Sequence, residues 1–175
     1  SCSGRIRRIM EIVKIVGKKY YCEDSIRNLI GYVTDENKTH KYIGAIGTNA
    51  DEPEKMIQQM EAVKEGFDKK HGYRQARHLI VSFENDEKIT PDIAYFIAYD
   101  IACYYSDRYQ ICFGVHLDTD NIHIHFIQNT VSYVDGKLFS GGPWELEKFK
   151  CHVDSVIFRF SVAGLNPVQV LDKFL

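Results

Sequence analysis

The sequence predicts an α+β fold in which α-helices cover a central antiparallel β-sheet of about five strands. Two observations lead to this prediction. Residues 109–117 and 122–133 alternate apolar and other side chains around the polar run 118–121, which indicates a β-hairpin, and a hairpin is antiparallel. The rest of the chain alternates strand-like segments with segments whose apolar residues recur at helical spacing.

The elements of the first half follow from their apolar spacing. Residues 7–16 alternate basic and apolar side chains and predict a first strand, and residues 23–33 predict a helix with acids in its first turn. A short strand is predicted over 42–46. A second helix is predicted to start at Asp51, which would cap it, with Pro53 in its first turn. Its apolar stripe would be Met56, Met60, Val63 and Phe67.

The second half continues the alternation. Residues 78–84 predict a strand with Leu79, Val81 and Phe83 facing the core. Thr90 and Pro91 predict the start of a helix that precedes the hairpin strands. Residues 144–162 predict a last amphipathic helix, and 167–171 a short terminal strand.

Composition sets the class of protein. The length of 175 residues suits one domain over residues 1–175, and 45% apolar with 26% charged residues is ordinary for a globular protein. No apolar run is long enough for a transmembrane helix, so we expect no membrane insertion. Five scattered cysteines without a CxxC pair favour reduced thiols in a cytoplasmic compartment over a disulfide framework or zinc ribbon. Residues 1–4, SCSG, are interpreted as a cloning remnant.

The stretch VHLDTDNIHIHFIQN holds His116, His123 and His125. Residues two apart on a strand share a face, so His123 and His125 point the same way. If Thr119 and Asp120 form the turn, His116 lies directly opposite His123, and the three imidazoles converge. They are either polar residues on a solvated face or ligands of one metal ion, and their number on one hairpin favours the metal site. Imidazole suits several transition metals.

Charge is distributed unevenly along a chain whose net charge is −2. The first 22 residues carry six basic side chains against the single acid Glu11. Such an end is either a local surface for phosphates or a solvated terminus.

Three ordered stretches resemble the motifs of plasmid mobilisation relaxases, the MobA/VirD2-type members of the HUH endonucleases. SIRNLIGYVTDENKT resembles the first motif, which carries a tyrosine near a helix end, and RQARHLIVSFENDEKITPDIA resembles the second. The third motif has the pattern H-x-D-x(4)-H-x-H-x(3)-N, which this chain matches with His116, Asp118, His123, His125 and Asn129. The resemblance covers roughly residues 9–165, and it implies the palm-like sheet of HUH and RRM folds.

The resemblance implies a metal-dependent enzyme that nicks single-stranded DNA at a transfer origin. Tyr32 would attack a phosphodiester, keep the 5′ phosphate and release a 3′-OH. His116, His123 and His125 would bind a divalent cation, Mg²⁺ or Mn²⁺ first and other transition metals after them. Asp118 would orient a ligand histidine, accept the tyrosine proton, or simply cap the turn.

DNA contacts are expected from a wider set of residues, each of which could instead be structural or solvated. The resemblance further implies a bacterial, cytoplasmic protein that works with accessory relaxosome proteins and a coupling protein, and a nuclease domain at the N-terminal part of a longer chain. The DNA-binding candidates are Arg5, Arg7, Arg8, Lys14, Lys38, Arg77, His78, Ser82 and Asn129.

Three alternatives stay open. A rolling-circle replication initiator would keep the chemistry but usually carries its tyrosine on a helix after the histidines, so a nucleophile at Tyr104 or Tyr105 would favour it. A non-catalytic relative would bind single-stranded DNA without cutting it. A hydrolytic metalloenzyme on a small substrate is less favoured, because no glutamate flanks the histidine pair as a general base.

Overall fold

The computed structural model describes residues 11–17, 19–84 and 88–163. Five strands form one sheet in the order β1-β3-β5-β4-β2, and all neighbouring strands are antiparallel. The predicted α+β fold is confirmed. The elements are β1 (Glu11–Ile15), α1 (Ser25–Val33), α2 (Glu36–Thr39), β2 (Ile43–Ile46), α3 (Pro53–Gly66), β3 (Ala76–Phe83), α4 (Pro91–Ala102), β4 (Ile111–His116), β5 (His123–Asn129) and α5 (Pro143–Val162).

Helices cover both faces of the sheet. Helices α4 and α5 pack on the face that carries Leu79, Phe113 and Phe126. Helices α1 and α3 cover the other face, where Cys112 and Ile127 are buried. The histidines lie on this second face. Helix α1 largely covers them, so they do not form the solvated face that the sequence left as an alternative. Every residue of β4 is buried, because the side chains on each of its two faces pack against a layer of helices.

The hairpin has the predicted register. His116 pairs with His123, and Gly114 pairs with His125. The neighbouring strand β3 places Ile80 opposite His125 and Ser82 opposite His123. Opposite residues share a face, so three adjacent strands contribute side chains to the histidine face.

Three local features differ from what the sequence led us to expect. The short helix α2 was not predicted; it is capped by Asp35, whose carboxylate accepts the backbone N–H of Asn37. Helix α3 has Glu52 as its N-cap rather than Asp51. The third, Phe67, is exposed at the end of α3 and does not belong to its apolar stripe.

The side chain of Asn49 orders the turn that leads into α3. Its Oδ1 atom accepts the backbone N–H groups of Asp51 and Glu52, the two residues that precede the helix. Residues 7–10 of the predicted first strand and the predicted strand 167–171 lie outside the described residues. Among the described helices, none combines the length and the apolar character needed to cross a membrane.

Candidate metal centre and nucleophile

The hairpin brings the three predicted ligand histidines together. One ligand atom from each of His116, His123 and His125 lies within 4.8 Å of the other two. The ring centroids of His116 and His125 are 4.2 Å apart, and that of His123 lies 5.3 Å and 5.0 Å from theirs. His116 and His125 are buried and His123 is partly exposed, so the cluster opens to solvent on the His123 side.

Hydrogen bonds fix which nitrogen of each ring stays available. His116 Nε2 lies 2.9 Å from the carbonyl oxygen of Val33, and His123 Nδ1 lies 3.0 Å from that of Asn121. A carbonyl only accepts, so both nitrogens carry the proton and donate. The opposite nitrogens, His116 Nδ1 and His123 Nε2, therefore keep their lone pairs.

Two buried ligand nitrogens have no hydrogen-bond partner within the described chain, namely His116 Nδ1 and His125 Nε2. Burial lowers the pKa of His116, and burial together with the neighbouring histidines lowers the pKa of His125 to about 2. These two rings are therefore neutral at physiological pH, which is the state a metal ligand requires. Orphaned lone pairs on neutral, oriented imidazoles fit a divalent metal ion.

Tyr32 lies above the histidines, in the last turn of α1. Its side chain is 46% exposed, which leaves it open to a substrate. Its ring meets His116 and His125 edge-on, with centroid distances of 5.4 Å and 5.5 Å. Gly114 permits this approach, because a Cβ atom there would lie 2.0 Å from the carbonyl oxygen of Val33.

Lys38 and Asp118 complete the surroundings of Tyr32. Lys38 Nζ lies 5.2 Å from the centre of the Tyr32 ring and donates to Asp118 Oδ2 at 3.1 Å. Burial on its own would raise the pKa of Asp118, but the hydrogen bond and charge of Lys38 outweigh it, and the pKa is lowered. Asp118 is therefore an ionised carboxylate, and it is hydrogen-bonded to Lys38, which lies over the Tyr32 ring.

The DNA-binding candidates separate into four groups. Lys14, His78 and Ser82 lie on the histidine face, since β1 pairs Lys14 with Ile80. Arg77 and Asn129 are buried and do not line the site. Lys38 stands beside Tyr32, and Arg5, Arg7 and Arg8 lie outside the described residues.

Arg77 and Asn129 are buried and satisfied by the protein itself. Arg77 is 4% exposed, and its guanidinium binds Glu145 at 3.1 Å and Tyr105 at 2.6 Å. Asn129 donates to the carbonyl of Met60 and to the side chain of Gln110. Burial and existing partners leave neither side chain free to reach a phosphate, so both hold the fold.

Tyr104 and Tyr105 belong to the opposite side of the sheet. Tyr105 is buried in the core under α4 and α5, where its hydroxyl donates to Glu145, and Tyr104 packs on Phe149 and His152. Burial raises the pKa of both phenols. Neither ring contacts the histidine cluster, which removes the feature that would have favoured a rolling-circle initiator.

The model of one protein family, described as Relaxase: MobA/VirD2-like, nuclease domain, matches residues 32–155. The chain belongs to this family. The match starts at Tyr32 and spans all three histidines. A comparison with curated proteins gives no match.

Membership defines the general role of this relaxase domain. Relaxases nick DNA, act on single strands and depend on a metal, and among the described residues the three-histidine cluster is a group of side chains that could bind one. The match does not assign individual residues.

Sequence reasoning missed the groups that orient the ligands. Two of these are backbone carbonyls, of Val33 and Asn121, which no side-chain pattern reveals. The third is His78, whose Nε2 lies 2.7 Å from His125 Nδ1. His78 was expected to contact DNA, but its contact with His125 depends on the pairing of β3 with β5. A glycine at 114 on the histidine face was a usable signal of close backbone approach.

Proposed function

We propose that this relaxase domain nicks single-stranded DNA at the transfer origin of a plasmid or integrative element, with Tyr32 as the nucleophile. The observation that carries the proposal is the position of the Tyr32 ring, edge-on against two of three histidines that each bring one ring nitrogen within 4.8 Å of the other two. The Tyr32 ring is half-exposed, so a DNA strand can approach it from solvent while the ring packs against the histidine cluster.

His116, His123 and His125 would hold the divalent cation, Mg²⁺ or Mn²⁺ or another transition metal. When bound, the cation supplies Lewis-acid polarisation of the phosphodiester and offsets the charge that develops on it. The three imidazoles contribute no negative charge, which favours an anionic substrate. Hydrogen bonds to backbone carbonyls hold the rings of His116 and His123 in place before the substrate arrives.

The reaction exchanges one phosphoester for another. The Tyr32 oxygen forms a bond to phosphorus, the bond from phosphorus to the 3′ oxygen breaks, and the phosphate stays on Tyr32 with its 5′ nucleoside. The phenol proton passes to Asp118, and the departing 3′ oxygen takes a proton from water. Attack by a 3′-OH reverses these steps and rejoins the strand.

Lys38 supports this step by its position. Its ammonium lies over the Tyr32 ring and is held there by Asp118. A positive charge beside the phenol stabilises the negative charge that builds on its oxygen and on the phosphate during attack. Asp118 therefore has two parts in the proposal, as the anchor of Lys38 and as the proton acceptor.

The open part of the histidine face offers a track for the strand. Helix α1 packs over β4 and β5. On the neighbouring edge strand, Lys14 and Ile12 are exposed, and Ser82 and Ile80 are partly exposed on β3. We propose that the DNA crosses these strands to reach Tyr32, in a bacterial cytoplasm and together with accessory relaxosome proteins and a coupling protein.

Covalent capture tests the proposal. The full chain is incubated with Mn²⁺ and single-stranded DNA from the transfer region of its element, and the modified residue is mapped by mass spectrometry. We expect an adduct on Tyr32 that Tyr32→Phe abolishes while metal affinity is unchanged. Tyr99→Phe is the matched control, since Tyr99 is similarly exposed at 43% but lies on α4, on the opposite face.

The other outcomes are equally informative. An adduct on Tyr20, which lies near His78, would keep the reaction and overturn Tyr32 as the nucleophile. DNA binding and metal binding without any adduct would replace the enzyme by a non-catalytic single-stranded-DNA-binding relative.

A further inference from the structure

His125 is oriented differently from the other two candidate ligands. His116 and His123 each donate to a backbone carbonyl, which can only accept and therefore settles the tautomer. The Nδ1 atom of His125 instead faces the Nε2 atom of His78 at 2.7 Å. An imidazole nitrogen can donate or accept, so the partner of His125 must itself be held in one state.

Tyr20 lies on the far side of His78. Its hydroxyl is 3.3 Å from His78 Nδ1, and the two ring centroids are 6.4 Å apart. The backbone carbonyl of Tyr20 accepts the N–H of Gln75 at 2.6 Å, which ties the segment before α1 to the start of β3. Burial raises the pKa of Tyr20, so its hydroxyl stays neutral and available as a hydrogen-bond partner.

We propose that His78 and Tyr20 are positioning residues that fix the ring orientation and tautomer of His125. The chain of donors runs outward: His125 Nδ1–H donates to His78 Nε2, and His78 Nδ1–H donates to the hydroxyl oxygen of Tyr20. This arrangement leaves the lone pair of His125 on Nε2, the buried nitrogen that has no partner within the described chain. It also engages the His78 nitrogen that a DNA phosphate would need.

The inference rests on the proposed metal site. Groups that orient a ligand histidine typically contribute about 10–100-fold to metal affinity. We therefore expect His78→Ala to weaken metal binding by about that factor. Tyr20→Phe removes the more distant partner, so its loss should be smaller.

Metal affinity in the absence of DNA tests the inference without depending on nicking. Mn²⁺ binding to the full chain is measured by electron paramagnetic resonance, and Zn²⁺ binding by competition with a chromophoric chelator. The variants are His78→Ala, His78→Gln and Tyr20→Phe. His71→Ala is the control for loss of a histidine, because His71 is exposed and bonded to Glu23 away from the cluster.

His78→Gln distinguishes orientation from mere packing. The glutamine side-chain oxygen can accept from His125 Nδ1–H near the place of His78 Nε2, so we expect it to recover part of the affinity lost in His78→Ala. Thermal unfolding of each variant shows whether it is folded. If His78→Ala does not fold, His78→Gln and Tyr20→Phe still decide the matter.

The tautomer of His125 is a second readout that a purely structural role would not change. In ¹⁵N-histidine-labelled protein, long-range proton–nitrogen correlation spectra should show Nδ1–H for His125 in the wild-type chain. We expect a shift towards the Nε2–H form in His78→Ala.

Wild-type affinity and tautomer in folded His78→Ala would overturn the inference and leave the proposed function standing. A wild-type chain that binds neither metal would overturn both.

Discussion

Replacing Gly114 by alanine tests how closely α1 must approach the sheet. The new Cβ atom would lie 2.0 Å from the Val33 carbonyl oxygen and 3.1 Å from Thr39 Cγ2. Relief of that contact requires the carbonyl to move by about 1 Å, in an interior packed too tightly to absorb it. The same carbonyl accepts from His116 Nε2, so the shift also breaks a hydrogen bond to a candidate ligand.

The expected loss of stability combines the overpacking with the broken hydrogen bond. Overpacking costs about 1–3 kcal/mol, and a lost hydrogen bond about 1 kcal/mol, so we expect the free energy of unfolding to fall by about 3 kcal/mol. Tyr32 precedes Val33 and moves with it. A displacement of about 1 Å at a reacting group can reduce the rate about 100-fold. Urea denaturation measures the first quantity, and the rate of covalent adduct formation the second.

Gly31→Ala is the matched control, one residue from Tyr32 on the same helix. A Cβ atom there meets nothing within 4 Å, so alanine should stabilise the helix by about 0.5–1 kcal/mol and leave Tyr32 in place. The reasoning is refuted if Gly114→Ala keeps the stability of the wild-type chain.

Three further predictions concern buried charge. In metal-free protein, His125 has a folded pKa of about 2, below its unfolded value, so the unfolded chain binds the proton first and stability falls with pH below about 6.5. Urea denaturation should show a loss of about 2 kcal/mol at pH 5 that His125→Gln removes. Lys64 is buried with a pKa lowered to about 8. Its buried charge destabilises the folded chain, and this destabilisation decreases as pH rises and the ammonium loses its proton. Between pH 8 and pH 10 the wild-type chain should gain about 2 kcal/mol relative to Lys64→Met, and no gain would show that Lys64 is solvated. Arg77→Met removes the ion-pair partner of Glu145 and should lower the free energy of unfolding by about 3 kcal/mol. The slope of log DNA affinity against log salt concentration should be the same in Arg77→Met as in the wild-type chain, whereas Lys38→Met should reduce that slope by about one. A reduced slope in Arg77→Met would show that Arg77 does contact DNA.

Local pattern was sufficient for the β4–β5 hairpin and the histidine cluster. The alternation of β5 defines one face for His123 and His125, and the short connection over residues 117–122 places His116 opposite His123. These are relations between residues close in sequence. The same is true of Tyr32, whose position at a helix end follows from the apolar spacing of α1.

Long-range pairing was beyond local pattern. Lys38 meets Asp118 across 80 residues, and Arg77 meets Glu145 across 68. Arg77 was expected at DNA because it is basic and precedes His78, but alternation places consecutive residues on opposite faces, and Arg77 points into the core beneath α5. The orientation of His116 by a backbone carbonyl carries no side-chain signature at all.

The carbonyl of Val33 links the size of residue 114 to the position of Tyr32. It faces Gly114 on one side and His116 on the other, and it follows Tyr32 directly in the chain. A larger residue at 114 becomes acceptable only when α1 ends differently, and that change moves the tyrosine. Among relatives we therefore expect positions 33, 39 and 114 to change in concert, so that the inherited unit is the docking of α1 on β4.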